Sequence, residues 1–188
     1  MLTASDTLIF AHGTGHGWGG PIEPWEFHPM LIHFPIAFLL SGVVVGLSAW
    51  WRGQLSAERL ATGLFTAGVL SGVVTAGAGL LAMYTAPDNT AMAERLMPVH
   101  LWVQVAALVL FAVVSWLRWR AWDTAPGLPT RILGWVAAVV LIVGSGIGGY
   151  MVYHAGAAIE PRLLAPSMQE GHHHSGGEGS AGTGADGP

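Results

Sequence analysis

The stretch Pro29 to Arg52, PMLIHFPIAFLLSGVVVGLSAWWR, decides the fold. A helix needs about 20 apolar residues to cross roughly 30 Å of hydrocarbon, because each residue rises about 1.5 Å and unpaired backbone is not tolerated in lipid. This stretch meets that length. It enters on a proline, where a helix can spare an N–H, and closes on Trp50-Trp51-Arg52, an interfacial anchor. Three more stretches pass the same test, so the sequence predicts spans at 29–51, 60–84, 98–117 and 132–153. The second stops at the turn signal Pro87-Asp88-Asn89, and the third opens at Pro98 and closes on Trp116 to Arg120. The fourth follows the breaker-rich segment Asp123 to Pro129. Short connections favour sequential helices as neighbours. The expected fold is all-α, an integral membrane four-helix up-down bundle with no evident internal repeat.

Composition agrees. Of 188 residues, 52% are hydrophobic and 10% charged, which excludes an ordinary soluble domain and makes the lipid bilayer the first partner. Seven basic residues, all arginine, face eleven acids and form no patch that would neutralise phosphates, so nucleic-acid binding has no support. Cysteine is absent, which removes disulfides, thiolate zinc sites, iron–sulfur clusters and covalently attached haem. Met1 to Phe10 lacks the charged and apolar regions of a cleaved signal peptide, so the first span is expected to target the chain. Residues 1–27 read as a flexible Gly/His/Trp-rich tail, 28–160 as the membrane domain, and 161–188 as a Gly/Ser/His-rich tail too polar to bury a core.

The arginines set an expected orientation. Arg52, Arg59, Arg118, Arg120 and Arg131 follow the first and third spans, whereas only Arg95 and Arg162 lie on the other side. The positive-inside rule places the former connections in the cytoplasm. Both termini then face outward, which in a two-membrane bacterium means an inner-membrane protein with periplasmic ends.

On this topology four histidines gather at the outer face. His28 sits at the mouth of span one with His33 deeper, His100 lies in the first turn of span three, and His154 follows span four. Histidine titrates near neutrality and ligates metals, so its confinement to one depth points to a site. His33 lies inside an apolar run and needs a partner. In an up-down bundle spans one and three lie on a diagonal, so His33 and His100 can face each other as two axial ligands approach a flat cofactor. Clearance for it would come from small residues: Gly72, Gly77 and Gly79 in span two, and Gly144, Gly146, Gly148 and Gly149 in span four. Each element also has a plainer reading. Glycines let membrane helices pack closely, and a histidine can bond helix to helix. His28 can be hydrated or cap its helix, and His154 can complement the helix dipole. Gln104, one turn below His100, can orient a ligand or contact a quinone.

The run His28-Pro29-Met30-Leu31-Ile32-His33-Phe34-Pro35 resembles the opening signature of the four-helix membrane family known as domain of unknown function 2231. The likeness extends to His100 and to the glycine-rich end of span four through Tyr153-His154-Ala155-Gly156-Ala157, covering roughly residues 27 to 160. The resemblance implies a redox setting, with Rieske-type or cytochrome c-type partners; it implies no particular reaction.

Other features are secondary. His12 to Gly20 resembles flexible Gly/His/Trp segments that bind copper, and His172-His173-His174 can bind divalent metal or be compositional. Met83, Met92 and Met97 are possible thioether ligands or packing, and Trp25, Trp102, Tyr150 and Tyr153 read as an interfacial belt. Gly144 to Gly149 lies inside a span with no strand before it and is not a dinucleotide loop.

The leading expectation is a membrane redox protein holding haem b near the outer face through His33 and His100, with His28, His154, Gly77 and Gly148 around the cofactor. It would pass electrons between quinone and an outer carrier as a possible component of an electron-transfer oxidoreductase. The alternatives are a non-haem copper protein and a cofactor-free subunit of a larger membrane complex.

Overall fold

A computed structural model describes residues 22–86 and 90–157. Residues 1–21 of the first expected tail, the whole of the second, His12 to Gly20, His172 to His174 and Arg162 lie outside these residues, whereas Pro24 to Phe27, expected in the first tail, are helical.

The described chain is helical throughout. A 3-10 turn over Pro24–Glu26 leads into α1 (Phe27–Leu31), α2 (His33–Arg52), α3 (Leu55–Thr85), α4 (Ala91–Arg120) and α5 (Leu128–Ala155). With α1 and α2 taken together, four helices are long and apolar enough to cross a membrane. They outrun the predicted spans because hydropathy marks the thickness of lipid, whereas a helix ends where its backbone is capped. The 31 residues of α3 extend about 46 Å, well beyond the hydrocarbon. α4 starts at Ala91, not at Pro98: Thr90 caps it by accepting from the Ala93 N–H at 3.2 Å, and Pro98 lies inside the helix. α2 and α5 end on glycines in the left-handed region, Gly53 at φ 61° and Gly156 at φ 65°, a conformation that costs other residues more. There Gln54 N–H reaches back to the Ala49 carbonyl at 3.1 Å and Ala157 N–H to that of Met151 at 2.9 Å.

α2 packs chiefly on α3, and α4 on α5, giving two antiparallel hairpins that meet along α3–α4 and α2–α5. Small residues permit the close approach. A Cβ on Gly68 would fall 2.5 Å from the Leu39 side chain, and one on Gly42 would fall 3.2 Å from the Phe65 ring. Phe65 and Phe111 join the hairpins at the centre, with ring centroids 5.7 Å apart. Around them Leu39, Ala61, Ala107, Val114, Ala137 and Leu141 complete a dry core. Val44, Val73, Val109, Val139 and Ile142 are exposed on the outside, as apolar side chains are when the solvent is lipid.

The two hairpins form a structural repeat. Buried Pro35, Leu39, Gly42 and Gly46 of α2 correspond at constant offset to buried Ala107, Phe111, Val114 and Arg118 of α4. Thr62, Phe65, Gly68, Gly72 and Thr75 of α3 likewise correspond to Arg131, Gly134, Ala137, Leu141 and Gly144 of α5. Read for residue identity, the sequence shows no such repeat. The match is one of burial, with almost no identity; at Gly46 the guanidinium of its equivalent Arg118 lies 3.6 Å from where a Cβ would be.

Candidate functional site

The signature run shapes the end of the bundle that holds the histidines. Pro35 has no N–H, so the Leu31 carbonyl loses its helical donor, and the chain turns at Ile32 between α1 and α2. Thr75 Oγ1 from α3 lies 3.3 Å from that carbonyl and 2.9 Å from the Ser71 carbonyl of its own helix, so its single proton is shared between them. In return His28 Nδ1 donates to the Thr75 carbonyl at 3.1 Å. The His28 ring lies where a Cβ on Gly79 would be, 2.9 Å from its Cε1. Gly79, one turn on from Thr75, leaves the room in which the ring reaches that carbonyl.

The second hairpin repeats the device. His100 Nδ1 donates to the Gly144 carbonyl at 2.9 Å, and its Cε1 lies 2.7 Å from where Gly148 would carry a Cβ. His28 and His100 occupy equivalent positions, as do Thr75 and Gly144, and Gly79 and Gly148. Each carbonyl can only accept, so both imidazoles carry a proton on Nδ1, and Nε2 of each makes no hydrogen bond among the described residues. Both are half-buried. One turn below His100, Gln104 donates to Ser145 Oγ at 3.4 Å, on the side where Gly144 leaves room.

The other expected site residues fall elsewhere. His33 is on an exposed face of α2, so the inward partner on the first span is His28. Their five-residue spacing turns them about 140° apart on a helix. His154 is exposed and stacks on Tyr150, ring centroids 4.7 Å apart. Gly77 is exposed with open space where its Cβ would be, whereas Gly148 lies against His100. Met83 and Met92 are exposed. Among the described residues no three His, Asp or Glu side chains converge as a metal would need. A pair of axial imidazoles falls below that number.

The opposite end, where the short connections lie, holds a feature the sequence reading passed over. Glu58 is buried and divides its carboxylate between two buried arginines, Oε2 to Arg118 Nη2 and Oε1 to Arg131 Nη2, each at 2.6 Å. Arg118 also donates to Thr62 Oγ1 and the Glu58 carbonyl, and Arg131 to the carbonyls of Gly46 and Pro126. The Arg118–Thr62 and Arg131–Gly46 contacts are equivalents under the repeat, both at 3.3 Å. Arg118 and Arg131 are therefore interior groups, not the interfacial markers the sequence reading took them to be. The available signal was an acid one turn before a buried threonine at the start of an apolar run.

Every side-chain hydrogen bond between the hairpins, among the described residues, is at this end. Arg59 reaches Asp123, Thr66 meets Ser115 at 3.0 Å, and Trp119 Nε1 donates to Thr66 at 2.8 Å, beside the Glu58 triad. At the histidine end the bonds of His28, Thr75, His100 and Thr90 all stay within one hairpin.

The fold defines a polytopic helical membrane protein with one histidine anchored in each hairpin at the same end. The chain belongs to the family described as predicted membrane protein (DUF2231), whose profile matches residues 24–161 and so includes both histidine anchors and the triad. Comparison with curated proteins and with solved structures gives no match.

Proposed function

We propose that the protein is a membrane electron carrier that holds haem b between His28 and His100, in the outer half of the bundle. The observation behind this reading is the matched pair of imidazoles. Each is tied by Nδ1 to a backbone carbonyl, which leaves Nε2 as the ligating atom, the arrangement of metal-binding histidines whose other nitrogen is held by a second group. The residues fit the group in donor chemistry: two imidazole nitrogens, no competing thiolate, and, among the described residues, no side-chain hydrogen bond between the hairpins at that end. When bound, the haem iron supplies a one-electron couple. The Thr75 and Gly144 carbonyls orient the rings, Gly79 and Gly148 seat them, and the surrounding apolar helices exclude water. Quinone and an outer cytochrome c-type or Rieske-type carrier are the partners that suit a centre at this depth. Arg52, Arg59 and Arg120 at the opposite end favour a cytoplasmic position for the connections and periplasmic termini, in an inner membrane.

One other reading draws on the same contacts. The two histidines would be staples within each hairpin of a cofactor-free subunit. A pyridine haemochrome assay on the dithionite-reduced, purified protein separates the two. Haem binding predicts a Soret band that disappears in His28→Ala and in His100→Ala while His33→Ala retains it. A colourless protein from haem-replete cells, with the alanine variants changing only thermal stability, would sink the haem reading and leave the staple.

A further inference from the structure

The buried triad does not balance its charge. Glu58 supplies one negative charge to two guanidiniums, and neither arginine can neutralise itself by losing a proton. The excess charge is enclosed: the side chains of Arg118, Arg131 and Glu58 are 3%, 6% and 5% exposed. The next acid, Asp123, is already paired with Arg59 at 3.1 Å. Among the described residues no other acid lies at this end, where Arg52 and Arg120 add further positive charge. Guanidinium donors are also left over. Arg118 Nη1 and the second hydrogens on both Nη atoms of Arg131 find no acceptor among the described residues.

A cavity of about 290 Å³ opens onto this unbalanced group. Arg131 and Glu58 form its inner wall, with Trp50, Gln54, Asp123 and Thr124 around it. We propose that this cavity is a binding site for a singly charged phosphate-type oxyanion, whose charge completes the triad against Arg131. Planar guanidinium donors match phosphate oxygens in geometry as well as charge. Gln54 and Thr124 can bond the remaining oxygens. An anionic phospholipid headgroup and free phosphate share this chemistry, and the site lies where a headgroup would meet the end of a span. The inference is independent of any cofactor at the histidine end.

The test uses the full chain in nanodiscs and follows the thermal midpoint. One arm adds inorganic phosphate to protein in phosphatidylcholine; the other replaces part of the phosphatidylcholine with phosphatidylglycerol. Thr124→Glu places a negative charge in the cavity wall without touching the triad, and Thr124→Gln controls for size. A rise in midpoint with either probe, weakened about tenfold or more in apparent affinity by Thr124→Glu and kept in Thr124→Gln, is the expected result. Response to phosphate identifies a free-anion site, and response to phosphatidylglycerol alone identifies a lipid site. No response to either probe, or an undiminished response in Thr124→Glu, overturns the proposal.

Discussion

The two ends of this bundle are fastened in opposite ways. At the connection end full charges join one hairpin to the other: Arg118 of α4 and Arg131 of α5 both converge on Glu58 of α3. At the histidine end imidazole-to-carbonyl bonds close each hairpin on itself, His28 onto Thr75 and His100 onto Gly144. The contrast teaches which end can open. A buried ion pair that loses a partner leaves an uncompensated charge, so hairpins joined by one separate only at high cost. Imidazole-to-carbonyl bonds within a hairpin place no such demand on the interface between hairpins. A ligand that enters between the hairpins therefore meets least resistance at the histidine end.

The most severe way to break the comparison is Glu58→Ala. It leaves two buried guanidiniums facing each other, and a loss of roughly 3–5 kcal/mol is expected. Thermal unfolding in detergent should show a large fall in midpoint, with the haem spectrum, where present, lost only on unfolding. If Glu58→Ala unfolds like wild type, the charged weld is not what holds the hairpins together.

Gly148→Ala comes next. Its new Cβ would meet the His100 ring at 2.7 Å and displace it from the Gly144 carbonyl. Overpacking of this kind costs about 1–3 kcal/mol, less what alanine regains in helix propensity. Gly146→Ala, with nothing within 4 Å of its Cβ, is the control and should be neutral or slightly stabilising. Equal midpoints for the two variants would remove the seat assigned to His100.

Thr75→Val sharpens the picture at the first hairpin. It removes the hydroxyl whose single proton is shared between the Ser71 carbonyl and the Leu31 carbonyl freed by Pro35, for an expected loss of about 0.5–1 kcal/mol. Hydrogen exchange should rise locally in α1 and the first turn of α2, with α4 and α5 unaffected. Exchange that rises equally in both hairpins would contradict the separation of the two devices.

The smallest effect is expected from His33→Ala. His33 is exposed, so its midpoint should stay within about 0.5 kcal/mol of wild type. The same substitution at His28 should cost about 1 kcal/mol or more, because the Thr75 carbonyl loses its donor. A reversal of that order would put His33 inside the site.

Much of this molecule is written locally. Each of the four spans is legible because lipid tests every residue of a helix for its own polarity, so a run of about 20 apolar residues suffices to name it. The gathering of histidines toward one end is legible once the spans are counted. Their pairing is not. The choice of His28 over His33 rests on the turn at Ile32, and that turn is stabilised by Thr75 from another helix. Gly79 and Gly148 look like any packing glycine until the ring that needs each one is in place.

The amino-acid sequence by itself determined that this chain is four membrane helices with imidazoles at one end, because transfer into lipid depends on local composition. Only the tertiary structure decided that Arg118, Arg131 and Glu58 form one buried group, and that the hairpins repeat one another. A charge becomes interior only when partners remote in sequence enclose it. A repeat kept in burial rather than in residue identity exists only in the packing.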